Sequence, residues 1–438
     1  MTPLVDRLFD ALDDRVGHRR VGRVASQKIF PLHWSFLLGE VTLFAFVVLV
    51  ATGLFLTMFY VPSAETTVYE GASAVHQGRE MPAAYESVVR ITHDVDAGLL
   101  VRRVHRVASH VFIAAILAHF LRVVLTGAFR RPRELNYYIG LLLLMLTVAT
   151  GWIGHNLPLD VLSGNSFRIL YALLLSVPWV GDPLAYWVFG GVFPTGTMVS
   201  RFFAIHVLWL PIAITALISM HMLLVVRQQH TQPPDPEVDG QRQVIGEPLW
   251  PWQAVTSGVL FLLLLGILVT SAILVPWSDV DYTGPFRVGD VVQQAQPDWF
   301  LWWVEGLLRI VPDFEFVFLG ALWSQVFVVG VALPVAVLVL FFAYPTIERA
   351  RVGRTPESHV LDHPLDVPFR AGMVGLSVGF FAVSSAAAAQ DVIARLLFAP
   401  VESVTWTLRI AILVVPPLLA LLATAYARSQ PQRWRGKD

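Results

Sequence analysis

Eight stretches of this chain are each long and apolar enough to cross a membrane: 36–60, 99–126, 136–154, 199–226, 251–276, 321–344, 371–389 and 405–427. About 20 residues of helix cover the hydrocarbon thickness of a bilayer, and a helix bonds all its own backbone polar groups there. A chain with eight such runs has few other ways to hide them. Charged residues make up 14% of it and hydrophobic residues 55%, where a soluble protein carries about 25% charged residues. The fold class is therefore an all-α polytopic membrane protein with eight transmembrane helices. A net charge of −1 supplies no field for nucleic acid. Cysteine is absent, which excludes disulfides, an iron–sulfur cluster held by this chain, and thioether-linked haem. Histidines and carboxylates are left as ligands.

Basic residues set the orientation. His18-Arg19-Arg20, Arg23 and Lys28 precede the first span, FRRPRE (129–134) follows the second, and Arg227 follows the fourth. ERARVGR (348–354) follows the sixth, and RSQPQRWRGKD (428–438) comes last. With an even number of spans all five fall on one side, which the positive-inside rule makes cytoplasmic. Both termini are expected there. LVDRLFDALDDRV (4–16) reads as an amphipathic segment without a cleavage site. The expected organisation is a cytoplasmic N-terminal segment (1–30), a four-helix bundle (31–230), a Pro- and Asp-rich cytoplasmic linker (231–250) and a second four-helix half (251–438). The long aromatic connections 155–198 and 277–320 are read as short, half-buried helices over a site on the outer side, since loops of that length are usually functional.

Imidazoles are costly inside a span and point to function. His105 and His119 lie 14 residues apart on the second span, and His206 and His221 lie 15 apart on the fourth. At 100° per residue each pair shares one helix face, about 21–22 Å apart along the axis. Both spans run from outside to inside, so they are parallel. His105 then meets His206 near the outer surface, and His119 meets His221 near the inner one. A lone histidine in a span is as often a packing residue as a ligand, but two matched pairs point to two non-covalent, bis-imidazole b-type haems in a bundle core. Gly39 and Gly53 on the first span, and Gly140 and Gly154 on the third, repeat the 14-residue interval. They are read as clearing side chains from a flat macrocycle, although small-residue helix packing is the ordinary use of such pairs. Arg102 and Arg122, three residues outside the ligands, suit haem propionates or plain snorkelling. His110 lies off the ligand face and needs no role. Iron with two histidines has no open position, so it moves electrons and needs a lipid-soluble redox substrate.

At this point the chain resembles the cytochrome b subunit of quinol:cytochrome c oxidoreductases. The resemblance rests on RFFAIH (201–206) entering the fourth span, ATGLFL (51–56) on the first, GHNLP (154–158) and PDWF (297–300), beside the paired histidines and glycines. It covers about residues 30–430. The 15-residue histidine spacing, HRVAS (105–109), the Asp in PDWF and LSG (162–164) look closest to menaquinol-using actinobacterial members, with both halves fused in one chain. The resemblance implies quinol oxidation at an outer site formed by Pro297, Asp298, Trp299, Phe300, Gly154 and His155. One electron goes to a Rieske iron–sulfur protein and a cytochrome c subunit. The other crosses through the outer and inner haems to quinone at an inner site, contributing to proton-motive force. Arg201, from RFFAIH, joins the haem-packing set. The family is dimeric, and association with a terminal oxidase and with lipids is expected.

Asp298 stands where the family has Glu and is expected to accept a quinol proton; capping a turn after Pro297 is its bland alternative. Phe300 lacks the family's tyrosine hydroxyl. His155 replaces the family's Tyr in Gly-Tyr-x-Leu-Pro. In WPWQAVTS (250–257), Thr256 and Ser257 stand where mitochondrial members have a Lys-Asp pair, so Arg227 and His230 become candidates for inner protons. Glu40 and Glu305 are membrane-level carboxylates suited to a proton path, or to pairing with an arginine such as Arg309. Two other classes fit the sequence less well. A haem b anchor of a dehydrogenase needs neither the second half nor PDWF. A transporter with histidine relays needs broken spans or an internal repeat, and the sequence has no such repeat.

Overall fold

The computed structural model describes residues 28–31, 33–233, 245–277, 280–290, 296–353 and 359–430. Most of the expected N-terminal amphipathic segment, the centre of the linker and the last eight residues lie outside these. Eight helices among the described residues are long and apolar enough to cross a membrane: Trp34–Thr57, Gly98–Leu125, Glu134–Asn156, Met198–Gln228, Leu249–Leu274, Gln325–Val352, Pro368–Ala388 and Val401–Ser429. They match the eight expected spans to within four residues at each end, except that the sixth runs on to Val352, eight residues past its expected end; its start is displaced by a hairpin. There Glu315–Phe318 and Ala321–Ser324 form an antiparallel hairpin, so the helix begins four residues later than expected. Leu319 and Gly320 both take positive φ, the backbone a two-residue hairpin turn requires.

The first four spans enclose a long interior. Ala45 on the first and Val104, Val107 and Ala108 on the second share a buried cluster with Leu264, Leu268 and Ala272 of the fifth. Ile116, Ile139, Leu143 and Ile214 tie the second, third and fourth. Lipid does not drive apolar surfaces together, so close approach comes from small residues. Gly375 and Gly379 on the seventh span bring its backbone against Leu419 and Pro416 of the eighth. The surface left to lipid is apolar, with Leu54, Leu262 and Leu413 each more than half exposed.

The fourth span holds a wide π-helical turn at Ile205–Trp209. Such a turn takes up one extra residue. The 15-residue histidine interval on this span thereby becomes equivalent to the 14-residue interval on the second, and both histidine levels stay aligned.

The outer connections are helical, as expected: Val161–Leu175, Gly181–Phe189 and Trp302–Ile310. The connection at 61–98 also holds a helix, Ala83–His93. His76 and His93 in that connection both bond Asp281 Oδ1, at 2.7 and 3.2 Å, clamping it to the start of the 277–320 segment. Burial alone would raise the Asp281 pKa, but these two bonds outweigh it and hold it below the usual value. On the inner side, Ile29–Pro31 pairs antiparallel with Gly246–Pro248, joining the entry to the first span to the end of the linker. Arg370, only 2% exposed, bonds Glu348 at 2.6 Å and Asp362 at 2.9 Å and donates to the Leu125 carbonyl at 3.3 Å. This buried network fastens the inner ends of the second, sixth and seventh spans.

Candidate functional site

The second and fourth spans bring the four histidines together as two facing pairs. The His105 and His206 ring centroids are 6.5 Å apart, with the rings inclined at 74°. The His119 and His221 centroids are also 6.5 Å apart, at 75°. A metal–imidazole bond of about 2 Å on each side, with about 1.1 Å from nitrogen to ring centre, predicts roughly 6.3 Å. The spacing fits one iron between each pair.

Hydrogen bonds set the outer tautomers. Thr52 Oγ1 donates to the Val48 carbonyl at 2.7 Å, so it accepts from His105 Nδ1–H at 2.8 Å. His206 Nδ1–H donates to the Thr150 carbonyl at 3.0 Å. With both Nδ1 atoms protonated, both Nε2 lone pairs are free for a metal. On the inner pair, by contrast, the His119 and His221 Nδ1 atoms are buried without a hydrogen-bond partner among the described residues.

Each glycine faces one histidine. A Cβ on Gly53 would lie 3.4 Å from His105 Cε1, on Gly39 3.4 Å from His119 Cε1, and on Gly140 3.6 Å from His221 Cε1. On Gly154 it would fall within the His206 ring's contact radius. The glycines therefore leave room beside the imidazoles, on the side where a flat macrocycle is expected from their spacing. Cavities of about 260 and 570 Å³ adjoin the outer and inner pairs. Arg102 lines the outer one and Arg122 the inner one. Arg122 also lies 4.1 Å over the Phe36 ring. Arg201 does not reach either cavity. It donates to the Trp187 carbonyl at 2.7 Å and so braces the outer connection, because its place one turn before the π-helical turn points it away from His206.

The PDWF element packs beside the outer cavity. Asp298, 8% exposed, receives a bond from Arg106 at 2.7 Å. His155 Nδ1 lies 3.8 Å from its other oxygen, which has no hydrogen-bond partner among the described residues. Arg106 and His155 both line the cavity, so they stand between it and Asp298. His155 sits in the last turn of the third span. Phe300 is buried against the glycine-sized gap at Gly151. Trp299 Nε1 donates to His110 Nδ1 at 3.1 Å, and the Pro297 carbonyl accepts from Trp302 Nε1 at 2.7 Å. His110, set aside from sequence, thus anchors this element. Arg106 was missed outright; its one signal was a charge directly after a ligand histidine, inside a span.

The inner cavity is lined by Glu40, His119, Arg122, His221, His230 and Gln253, among others. His230 packs on Phe30 at 4.5 Å. Burial first, then the charges of Lys28 and Arg133, lower its pKa to about 4. Arg227 is exposed and does not line this cavity, because the helix continues through it and turns it outward. Glu305 pairs with Arg309 at 2.8 Å. Glu40 instead takes neutral donors from the fifth span: Gln253 Nε2 at 2.7 Å and Ser257 Oγ at 2.7 Å.

These features define an integral membrane protein with two stacked imidazole pairs in a helix bundle and a polar cluster at each membrane face. Residues 110–284 match the family described as cytochrome b (N-terminal)/b6/petB. The cytochrome bc1 complex cytochrome b subunit of Streptomyces coelicolor is 38% identical over 428 residues, covering 96% of this chain and 77% of that protein. The subunit of the same name from Mycobacterium tuberculosis is 38% identical over 417 residues, covering 94% of this chain and 75% of the relative. A solved chain titled hyperthermophilic respiratory Complex III has the same fold, with a TM-score of 0.66 at 19% identity, covering 95% of this chain and 99% of that one. The chain belongs to the family of cytochrome b subunits of cytochrome bc1 complexes. It is a haem-binding membrane subunit of quinol:cytochrome c oxidoreductase in respiratory electron transport.

Proposed function

We propose that this chain holds two b-type haems, with His105 and His206 as axial ligands of the outer and His119 and His221 of the inner. The observation that carries this is the pair of 6.5 Å imidazole separations at two levels of the same two spans. When bound, the two groups would supply single-electron transfer between quinol on the outer side and quinone on the inner side, and the paired histidines would keep substrate off the metal. Gly39, Gly53, Gly140 and Gly154 keep the ligand rings in place. Arg102 and Arg122 offer cations to the carboxylates at the edges of the two groups.

Quinol, with menaquinol the favoured type, is oxidised beside the outer pair. Asp298 and His155 take its protons there, and Arg106 holds Asp298 against the cavity wall. One electron leaves to a Rieske iron–sulfur partner and a cytochrome c subunit. The assembly is a homodimer in a bacterial cell membrane, in contact with lipids and open to association with a terminal oxidase. The relatives' names and the lipid-facing surface support these statements. Both chain ends are cytoplasmic, an orientation supported by the basic segments at 129–134 and 348–354.

The test is a reduced-minus-oxidised optical spectrum with a redox titration and haem count. Two low-spin b haems with separate potentials are expected, falling to one in His206→Leu. One haem or none in the unaltered protein would sink the proposal.

A further inference from the structure

We propose that Glu40 is the carboxyl group that protonates the quinone reduced in the inner cavity; this rests on the reading above that the cavity takes a quinone. Glu40 follows Gly39, whose missing side chain faces inner ligand His119, and it lines the cavity that adjoins the His119–His221 pair. It lies roughly 9 Å along the first span from Trp34, counted as six residues of helix. A carboxyl group at that depth is retained for function far more often than for packing.

Its partners distinguish it from the other buried acids. Asp298 is bonded by Arg106, Glu305 by Arg309 and Glu348 by Arg370. Each of these acids faces a guanidinium. Glu40 Oε1 accepts from Gln253 Nε2 and its Oε2 accepts from Ser257 Oγ, both at 2.7 Å. Both partners are neutral. The Ser257 hydroxyl can rotate from donor to acceptor, and Gln253 Nε2 also reaches Ser257 Oγ at 3.3 Å. The cradle therefore fits both COO⁻ and COOH, which is what a group that gives and regains a proton requires. The fifth span supplies a hydroxyl and an amide here, and the acid comes from the first span.

The other ionisable groups lining the cavity, beside the histidine pair, are His33, Arg122, Arg133, Tyr137, His230 and Glu247, and the Tyr137 hydroxyl donates away to the Phe341 carbonyl at 2.8 Å. The arginines do not release protons. His230, whose pKa is about 4, carries no imidazolium at neutral pH. Glu247 sits on the inner strand paired with Phe30, at the cytoplasmic end, where it can exchange with water and refill the cavity.

A quinone going to quinol gains two electrons, supplied by two quinol oxidations on the outer side, and two protons. Glu40 supplies one: its O–H bond breaks, a quinol O–H bond forms, and the carboxylate left behind is held by Gln253 and Ser257 until a proton from the cytoplasmic side restores it. The second proton enters from the cytoplasmic side by the same route.

The experiment compares wild type with Glu40→Gln in the intact complex. Haem reduction by quinol, with the inner route blocked by an inhibitor, reads the outer half. Haem re-oxidation by added quinone reads the inner half. Infrared difference spectra on quinone reduction read the carboxyl group itself. Expected for Glu40→Gln are unchanged outer reduction, re-oxidation slowed about a hundredfold or more, and loss of a carboxyl C=O band present in wild type. Wild-type re-oxidation with the band retained overturns the role of Glu40. Wild type that shows no quinone-dependent re-oxidation overturns the inner-site reading instead. Should Glu40→Gln assemble without haem, Ser257→Ala carries the test: it removes one donor and must shift both the carboxyl band and the pH profile of re-oxidation. No shift in either refutes the assignment.

Discussion

Adding one methyl group at Gly154 and one at Gly140 should have opposite consequences, although both glycines sit on the same helix and face a ligand. At 140 the new Cβ would rest 3.6 Å from His221, an ordinary contact, and Ala gains up to about 1 kcal/mol over Gly in helix propensity. At 154 it would overlap the His206 ring. That ring cannot swing aside freely, because its Nδ1 is bonded to the Thr150 carbonyl at 3.0 Å and its Nε2 faces His105. Overpacking of this kind costs about 1–3 kcal/mol. Taking about 2 kcal/mol, and a tenfold change for each 1.4 kcal/mol, outer-haem affinity falls about thirtyfold. The assay is haem content per chain with a redox titration of purified Gly154→Ala and Gly140→Ala, the outer component being identified with a His206→Leu control. Gly154→Ala should lose or shift only the outer component, and Gly140→Ala should keep both. Equal loss in the two variants, or a wild-type titration for Gly154→Ala, would refute the assignment of each glycine to one imidazole.

The other predictions concern the acid, the register, the inner network and pH. Asp298→Asn should slow quinol oxidation about a hundredfold with both haem spectra unchanged; normal turnover removes its proton role. Deleting Leu208 should convert the wide turn at Ile205–Trp209 into plain α-helix and restore a 14-residue histidine interval. Two haems should remain, and loss of the inner one would show that the turn does not set the register. Arg370→Met leaves buried Glu348 without its cation, a loss of about 3–5 kcal/mol visible as a lower melting temperature in detergent, and adding Glu348→Leu should recover most of it. His230, lowered from 6.5 to about 4, is bound as the neutral ring. Its contribution is present above pH 6.5 and is lost as pH falls toward 4; His230→Gln should flatten the stability profile in that window, and an unchanged profile would contradict its burial.

The chain's own pattern determined the eight spans and the two histidine levels. These follow from length, hydropathy and angular period, which are local properties of a helix in a bilayer. Only the tertiary structure decided the rest. The 15-residue interval already left both histidines of the fourth span on one face, but only the fold showed the π-helical turn that absorbs the extra residue, a choice made by packing along that span. Arg106 met Asp298, Trp299 met His110, and Gln253 and Ser257 met Glu40 across 192, 189, 213 and 217 residues of sequence. No period links such positions, because their contact depends on how separate spans lie against one another. Arg201 and Arg227 failed to reach the cavities for the same reason: distance along the chain from a ligand does not say which way a side chain points once the helices have packed.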